Sequence, residues 1–360
     1  MNKIPLFLLF IIGQLVAFDP TIPVLHLPDY YEAEKKQAFL DKLEDAMHNV
    51  GFFALTGTGV EKDVLDLGYE QMKHFFSGEL EEKMLLYSID GQRGYCPTES
   101  AKDEVRKDCK EFYHIGRENE AEDFENLGYG KNIWPTSPPL FKKSMISLYN
   151  SLDKCKADIG LAIAEVLGMP SDYLNKMTKN GDVLMRAIHY PASPPKEAIW
   201  AGAHTDINLF TLLPRSTAKG LQVQRRDGQW IDVIVPDNAF VINCGDMLEN
   251  LTNGYCLSAR HRVIDPGLGQ ERYSLVMFVH PRSKDRLDPL PAFIEKTGGI
   301  RKYANVNRLE LLAERLIDLG VASKDLMQYF VDSAAIDRLK EVNRFSPKAE
   351  KALIEEGFSF

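Results

Sequence analysis

The chain has 360 residues, 44% hydrophobic and 26% charged, an ordinary balance for a globular protein and unlike that of a disordered or fibrous one. At that length a compact fold buries about three quarters of the surface its unfolded chain exposes. A formal net charge of -9 with no basic run argues against a nucleic-acid partner. The five cysteines (Cys96, Cys109, Cys155, Cys244 and Cys256) are odd in number, widely spaced and without a CxxC pair. That pattern argues against a disulfide framework or a zinc knuckle and predicts reduced thiols, with one incidental bridge as the alternative.

The chain opens with a short positive start ending at Lys3, then the apolar run Ile4 to Ala17 before Phe18-Asp19-Pro20. This predicts a secretory signal over residues 1–17, cleaved after Ala17, and so an exported protein, although Leu15 is larger than the small residue preferred there. The alternative is an apolar amino-terminal segment packed on a cytoplasmic domain. The run is too short for a comfortable transmembrane span, so no stable span is expected in the mature chain.

Residues 21 to 60 read as strand, helix, strand. Ile22 to Leu27 is a short apolar strand. Glu32 to Asn49 carries Phe39, Leu43 and Met47 at helical spacing, with Gly51 just past its end. Phe52 to Thr56 is a second strand. Helices are predicted near Glu61 to Phe76 and Leu80 to Leu86. Residues 88 to 136, rich in charge, glycine and turn residues, read as long loops, which are more often functional than idle. Leu140 to Leu167 is the longest helical pattern, with Met145, Leu148, Leu152, Ile159, Ile163 and Val166 on one buried stripe.

From Asp182 the period changes. Short strands are predicted near 183–190, 199–204, 207–213, 220–224, 230–235, 239–243, 256–264 and 272–280, which suggests a sandwich or barrel. Residues 286–360 return to helical patterns, at Leu309 to Leu319 and Lys324 to Phe330.

The chemistry concentrates in this β region. His204 and Asp206 sit at i and i+2, so on an extended segment imidazole and carboxylate share a face and can reach one metal ion. His261, in a separate apolar run, supplies a third ligand. Two histidines and a carboxylate on one face of an octahedron leave three positions open, as non-haem Fe(II) requires to take O2 and an organic co-ligand. Zinc could use the same ligands but prefers four-coordination with one water. Arg272 and Ser274, again at i and i+2, place a guanidinium beside a hydroxyl, a match for one carboxylate. A lone strand histidine is usually structural, and His26, His48, His74, His114 and His280 are read that way.

In order and spacing, His204-x-Asp206, His261 and Arg272-x-Ser274 resemble the 2-oxoglutarate/Fe(II)-dependent dioxygenases of the isopenicillin-N-synthase-like branch. Supporting phrases are Met185-Arg-Ala-Ile-His-Tyr190-Pro, Gly220-Leu-Gln-Val-Gln, Val241-Ile-Asn-Cys-Gly-Asp-Met-Leu248 and Cys109-Lys-Glu-Phe-Tyr-His-Ile-Gly116, and the likeness spans roughly residues 21 to 285. The resemblance implies an α+β fold, a double-stranded β-helix (jelly roll) with flanking helices. It divides the chain into an amino-terminal dioxygenase region (21–137), a jelly-roll core (180–285) and a helical tail (286–360) lying across the barrel.

It further implies Fe(II) on His204, Asp206 and His261, and 2-oxoglutarate held by Arg272 and Ser274 with Tyr190 beside the keto acid. O2 is the oxidant, with ascorbate as a reductant, and the reaction is C–H oxidation (hydroxylation, desaturation or cyclisation) of a small organic substrate. Tyr95 and Phe112 resemble substrate-side positions, and Ile207, Phe210, Leu221 and the tail helices are expected to line the pocket. Asn243 and Asp246 are expected to stabilise a turn. Two departures stand out. His189 replaces the asparagine that usually precedes the tyrosine, and Asn208 replaces a common glycine, which is expected to alter the pocket floor. A 2-oxoglutarate-independent oxidase resembling isopenicillin N synthase keeps the same Arg-x-Ser pair and is the alternative. A non-catalytic jelly-roll binding protein is the third reading.

Overall fold

Strand alternation and cross-strand register decide which side chains meet in this protein. The computed structural model describes residues 21–87, 92–97, 108–118, 129–195 and 198–360. Residues 1–17, read as a signal, lie outside the described residues, as does 101–107 of the charged run. In chain order the strands are β1 (Val24–His26), β2 (Phe52–Thr56), β3 (Gly94–Cys96), β4 (Glu111–Gly116), β5 (Leu184–Tyr190) and β6 (Ala201–His204). They continue as β7 (Phe210–Leu213), β8 (Leu221–Gln224), β9 (Trp230–Asp232), β10 (Phe240–Cys244), β11 (His261–Val263) and β12 (Arg272–Val279). An eight-stranded sheet has the order β1-β2-β10-β7-β12-β5-β4-β3, and a four-stranded sheet the order β6-β11-β8-β9. Among the described residues every ladder between these strands is antiparallel except that of β1 with β2. The two sheets enclose one cavity, and the fold is the expected jelly roll with helices around it.

The β5–β12 ladder shows how the faces separate. Tyr190 lies opposite Arg272, Ile188 opposite Ser274 and Arg186 opposite Val276, and all six line the cavity. Their odd-numbered neighbours Met185, Ala187, Leu275 and Met277 are buried in the main core on the other face. A period of two allows no other division. The helix Phe141–Val166 lays Met145, Leu148, Leu152, Ile159 and Ile163 into that same core. The helix Lys62–Phe76 packs on it at Gly68, where a Cβ would come within 2.6 Å of Leu148.

Two sequence expectations change, and a third, the helix over Glu32–Asn49, stands with a changed last turn. Residues 88 to 136 are not only loops, because β3 and β4 extend the large sheet. In β4, Tyr113 and Ile115 enter the main core while Phe112 packs with Ile188 and Trp200 on the cavity side. A strand covered on both faces lacks the apolar–polar alternation that would have marked it. The strand predicted over 256–264 shortens to His261–Val263. Its first half is drawn elsewhere, with Leu257 N donating to Met47 O and Ser258 N to the Glu249 carboxylate. Finally, the helix Ala33–Asp45 runs on into a π-helical turn, Ala46–Val50, closed by Gly51 at φ 73°. A Cβ on Gly51 would lie 2.3 Å from Leu257 O, so glycine is required where the chain turns into β2.

Five helices follow β12. The helix Arg308–Leu319 begins with a reciprocal capping box between Asn307 and Glu310 and ends at Gly320 in the left-handed conformation. Among the described residues no helix is long and apolar enough to cross a membrane, and all five cysteines are free thiols.

Candidate active site

His204 ends β6 and His261 begins β11, and the two are direct cross-strand partners. Their rings therefore meet, with centroids 4.4 Å apart. Asp206 follows after one residue, and its Oδ1 lies 3.8 Å from His204 Nε2 and 3.7 Å from His261 Nε2. These gaps are too long for hydrogen bonds. Ligand atoms of the three residues all fall within 4.8 Å of one another, a grouping able to hold a metal ion.

The backbone orients each ligand. His204 Nδ1 donates to Gly202 O (2.7 Å) and His261 Nδ1 to Ala259 O (3.2 Å), which leaves each Nε2 as the lone-pair nitrogen facing the cavity. The other carboxylate oxygen of Asp206 accepts from Thr211 Oγ1 (2.6 Å) and Asn243 Nδ2 (2.9 Å), so Oδ1 is the one turned to the histidines. Burial opposes the charge on Asp206, yet the facing imidazoles and these two hydrogen bonds hold it down at about 2. His204 is 42% exposed at the cavity mouth, but its ring nitrogen faces inward; desolvation and the neighbouring imidazole of His261 lower it to about 4. Both groups are therefore unprotonated at neutral pH, as metal ligands must be.

Asn243 was expected only to stabilise a turn, but it touches Asp206 from the cavity wall. Asn243→Ala is expected to weaken metal binding on the order of 10- to 100-fold while the protein stays folded. Anaerobic Mn(II) titration checks this. Asn208, expected at the pocket floor, is fully buried away from the cavity and donates to Thr211 Oγ1 (2.8 Å), one step behind Asp206. It packs on Gly245, where a Cβ would lie 2.3 Å from Asn208 O.

The second half of the site is a buried cation. Arg272 is 1% exposed, its guanidinium lies 5.0 Å from the Tyr190 ring centroid, and Nε donates to Ala218 O (3.2 Å). Nη1 has no hydrogen-bond partner among the described residues. Burial works against the charge and lowers its pKa. A buried guanidinium left without a carboxylate, beside a buried Ser274 hydroxyl, fits one end of a dicarboxylate whose other end reaches the His–Asp–His cluster.

The cavity, about 590 Å3 including its open mouth, is lined by all six residues singled out from the sequence: Tyr190, His204, Asp206, His261, Arg272 and Ser274. Leu221 also lines it. Ile207 and Phe210 do not, because Phe210 points into the main core and Ile207 packs against it. Tyr95 also lies in that core, its hydroxyl on Glu111, and Phe112 sits behind Arg186 rather than on the cavity surface. Among the described residues no tail helix lines the cavity. Sequence reasoning missed Lys110, Arg186 and Thr211. Arg186 was detectable, since it alternates with Ile188 and Tyr190.

A cluster of two histidines and a carboxylate able to hold a metal, in the same jelly-roll cavity as a buried arginine, is the donor set that non-haem iron oxygenases use. Residues 22–137 match the family described as non-haem dioxygenase in morphine synthesis N-terminal, and residues 181–281 match the 2OG-Fe(II) oxygenase superfamily. The chain is 31% identical over 298 residues to the 2-oxoglutarate-dependent dioxygenase tropC of Talaromyces stipitatus, covering 76% of this chain and 90% of that protein. It is 32% identical over 305 residues to homoarginine-6-hydroxylase 2-ODD-C23.1 of Arabidopsis thaliana, covering 81% and 91%. Among solved structures, a 2OG-Fe(II) oxygenase family protein from Caulobacter crescentus superposes with a TM-score of 0.74 at 33% identity, covering 83% of this chain and 99% of that one. A full-length Neurospora crassa protein solved in complex with alpha-KG gives 0.72 at 26% identity, covering 82% and 96%. The chain belongs to the 2OG-Fe(II) oxygenase superfamily. It is an oxidoreductase, a dioxygenase of the kind that uses Fe(II), 2-oxoglutarate and O2.

Proposed function

We propose that His204, Asp206 and His261 hold the iron, that Arg272 and Ser274 hold the far carboxylate of 2-oxoglutarate, and that the remaining wall takes a small organic substrate for C–H oxidation. The observation that carries this reading is the unpartnered Nη1 of a buried arginine in the same cavity as the cluster. Iron, when bound, supplies with 2-oxoglutarate and O2 the two-electron oxidation of the substrate C–H bond. The protein's own part is positional. Thr211 and Asn243 aim Asp206, the Gly202 and Ala259 carbonyls set the histidine tautomers, and Tyr190 stacks beneath Arg272. The apolar side chains Phe52, Ile188, Val263 and Val276 limit water beside the reacting atoms.

Anaerobic titration of the Fe(II)-loaded protein with 2-oxoglutarate tests the reading. A saturable visible charge-transfer band is expected. Iron binding without a band would favour the 2-oxoglutarate-independent oxidase, and no iron binding would favour the binding protein.

Two cations on the wall support a finer statement about the substrate. Arg186 lies between the rings of Phe112 (4.2 Å) and Phe278 (5.3 Å) and donates from Nε to His114, so its position is set from three sides. Lys110 lines the cavity near His204 and pairs with Asp108 at 2.6 Å. With Asp206 committed to the metal, Arg272 to the co-substrate and Lys110 paired with Asp108, the guanidinium of Arg186 favours a substrate carrying an anionic group on an apolar frame. In a succinate-release screen pairing organic acids with their amides, acids are expected to turn over with kcat/KM about 10-fold or more above amides. Arg186→Leu should erase that preference; equal rates for acids and amides in the unaltered enzyme would overturn it. The segment 1–17 supports export, which amino-terminal analysis of the mature protein tests.

A further inference from the structure

The carboxy-terminal helices do not reach the cavity surface, yet one of their side chains reaches the residue between two of the proposed metal ligands. Arg315, on the helix Arg308–Leu319, donates from Nη1 to Thr205 O (3.1 Å) and from Nη2 to Thr205 Oγ1 (3.3 Å). Thr205 separates His204 from Asp206. The same Nη2 donates to Asp246 Oδ2. Asp246 joins both ligand-bearing segments. Its Oδ2 accepts from Thr205 Oγ1 (3.1 Å), its backbone N–H donates to Asp206 O (2.8 Å), and its Oδ1 accepts from Ser258 Oγ (2.6 Å), three residues before His261. Arg315 thus supplies the only cation paired with this carboxylate among the described residues.

We infer that Arg315 is a positioning residue for the metal site, and that the carboxy-terminal tail is in this way part of that site without touching metal or substrate. The inference rests on the metal assignment proposed above. The physical basis is a partly buried polar network, which holds its geometry best when every member is satisfied. Without Arg315, Asp246 is a carboxylate without its cation close to the anionic ligand Asp206, and the Thr205 carbonyl loses its donor. The His204–Asp206 turn is then free to relax away from His261. The helix that carries Arg315 is itself held firmly, by its capping box and by Ala313 and Ile317 buried in the main core. It can therefore fix a loop it touches by one side chain.

The test is Mn(II) titration of the full chain under nitrogen, with melting followed in parallel. Loss of Mn(II) binding in His261→Ala first establishes that the titration reads this site; Mn(II) binding that survives that change would instead count against the metal assignment. Arg315→Met keeps length and apolar bulk while removing the donors. It is expected to weaken Mn(II) binding on the order of 10- to 100-fold in folded protein, with Arg315→Lys recovering part of the loss. A role confined to docking the tail would lower the melting temperature and leave Mn(II) affinity unchanged, and that result would overturn the inference. If Arg315→Met does not fold, Asp246→Asn decides. It keeps the side chain's shape and an acceptor for Ser258 while removing the charge that Arg315 pairs with, and it leaves the helix intact; Mn(II) affinity is expected to fall there too, and unaltered affinity would overturn the inference equally.

Discussion

Asp206→Ala is expected to abolish metal binding and turnover together. Asp206 is the one carboxylate of the proposed metal cluster, and the change leaves two imidazoles, neither of which carries a negative charge to balance a divalent ion. It also strands two buried donors, Thr211 Oγ1 and Asn243 Nδ2, whose hydrogen bonds end on this carboxylate. Each unsatisfied group costs about 1–3 kcal/mol, so some loss of stability accompanies the loss of metal. His261→Ala separates the two effects, because among the described residues the one hydrogen bond that its ring makes is to the Ala259 carbonyl. Anaerobic calorimetry with Mn(II), and succinate release with Fe(II), check both variants. Stoichiometric metal binding or retained turnover in either would refute the assignment of the site.

Arg272→Leu has the second largest expected effect, and its signature has two signs. On the proposed clamp the change removes the cation that would pair with the far carboxylate of 2-oxoglutarate. Truncating one member of such a pair costs about 2–5 kcal/mol, on the order of 30-fold or more in the apparent requirement for the co-substrate. For the ligand-free protein the direction reverses. There the guanidinium is buried with Nη1 unpartnered and with burial lowering its pKa, so an apolar replacement removes a desolvation cost that offsets the packing and the Ala218 hydrogen bond lost with the longer side chain. The variant is expected to melt at the same or a higher temperature than the unaltered protein without ligand, and to gain less stability when 2-oxoglutarate is added. Metal affinity should not change. An unchanged 2-oxoglutarate requirement would place the clamp elsewhere, and a reaction that proceeds without 2-oxoglutarate in both proteins would favour the isopenicillin N synthase-like alternative.

The contrast between these two residues and the rest of the site shows where sequence reasoning reaches. His204 with Asp206, and Arg272 with Ser274, were legible as pairs because strand geometry is local: residues two apart share a face whatever the rest of the chain does. The period-two segments after Asp182 and the long helical stripe ending at Val166 were legible for the same reason. What the chain does over long separations was not. β4 escaped notice because both of its faces are covered, and which face is which decides that Phe112 lies toward the cavity while Tyr95 enters the core. Asn243 and Thr211 support Asp206 only because β10 and β7 are neighbours. Asn208 was placed correctly in the chain and wrongly in space, since packing on Gly245 takes it beneath the cluster. The Arg315–Thr205 contact spans 110 residues and joins a helix to a turn. The sequence by itself determined the chemical kit and its local pairing; tertiary structure alone decided which side chains hold that kit in place, because those contacts depend on strand order and helix docking, and no spacing along the chain encodes either.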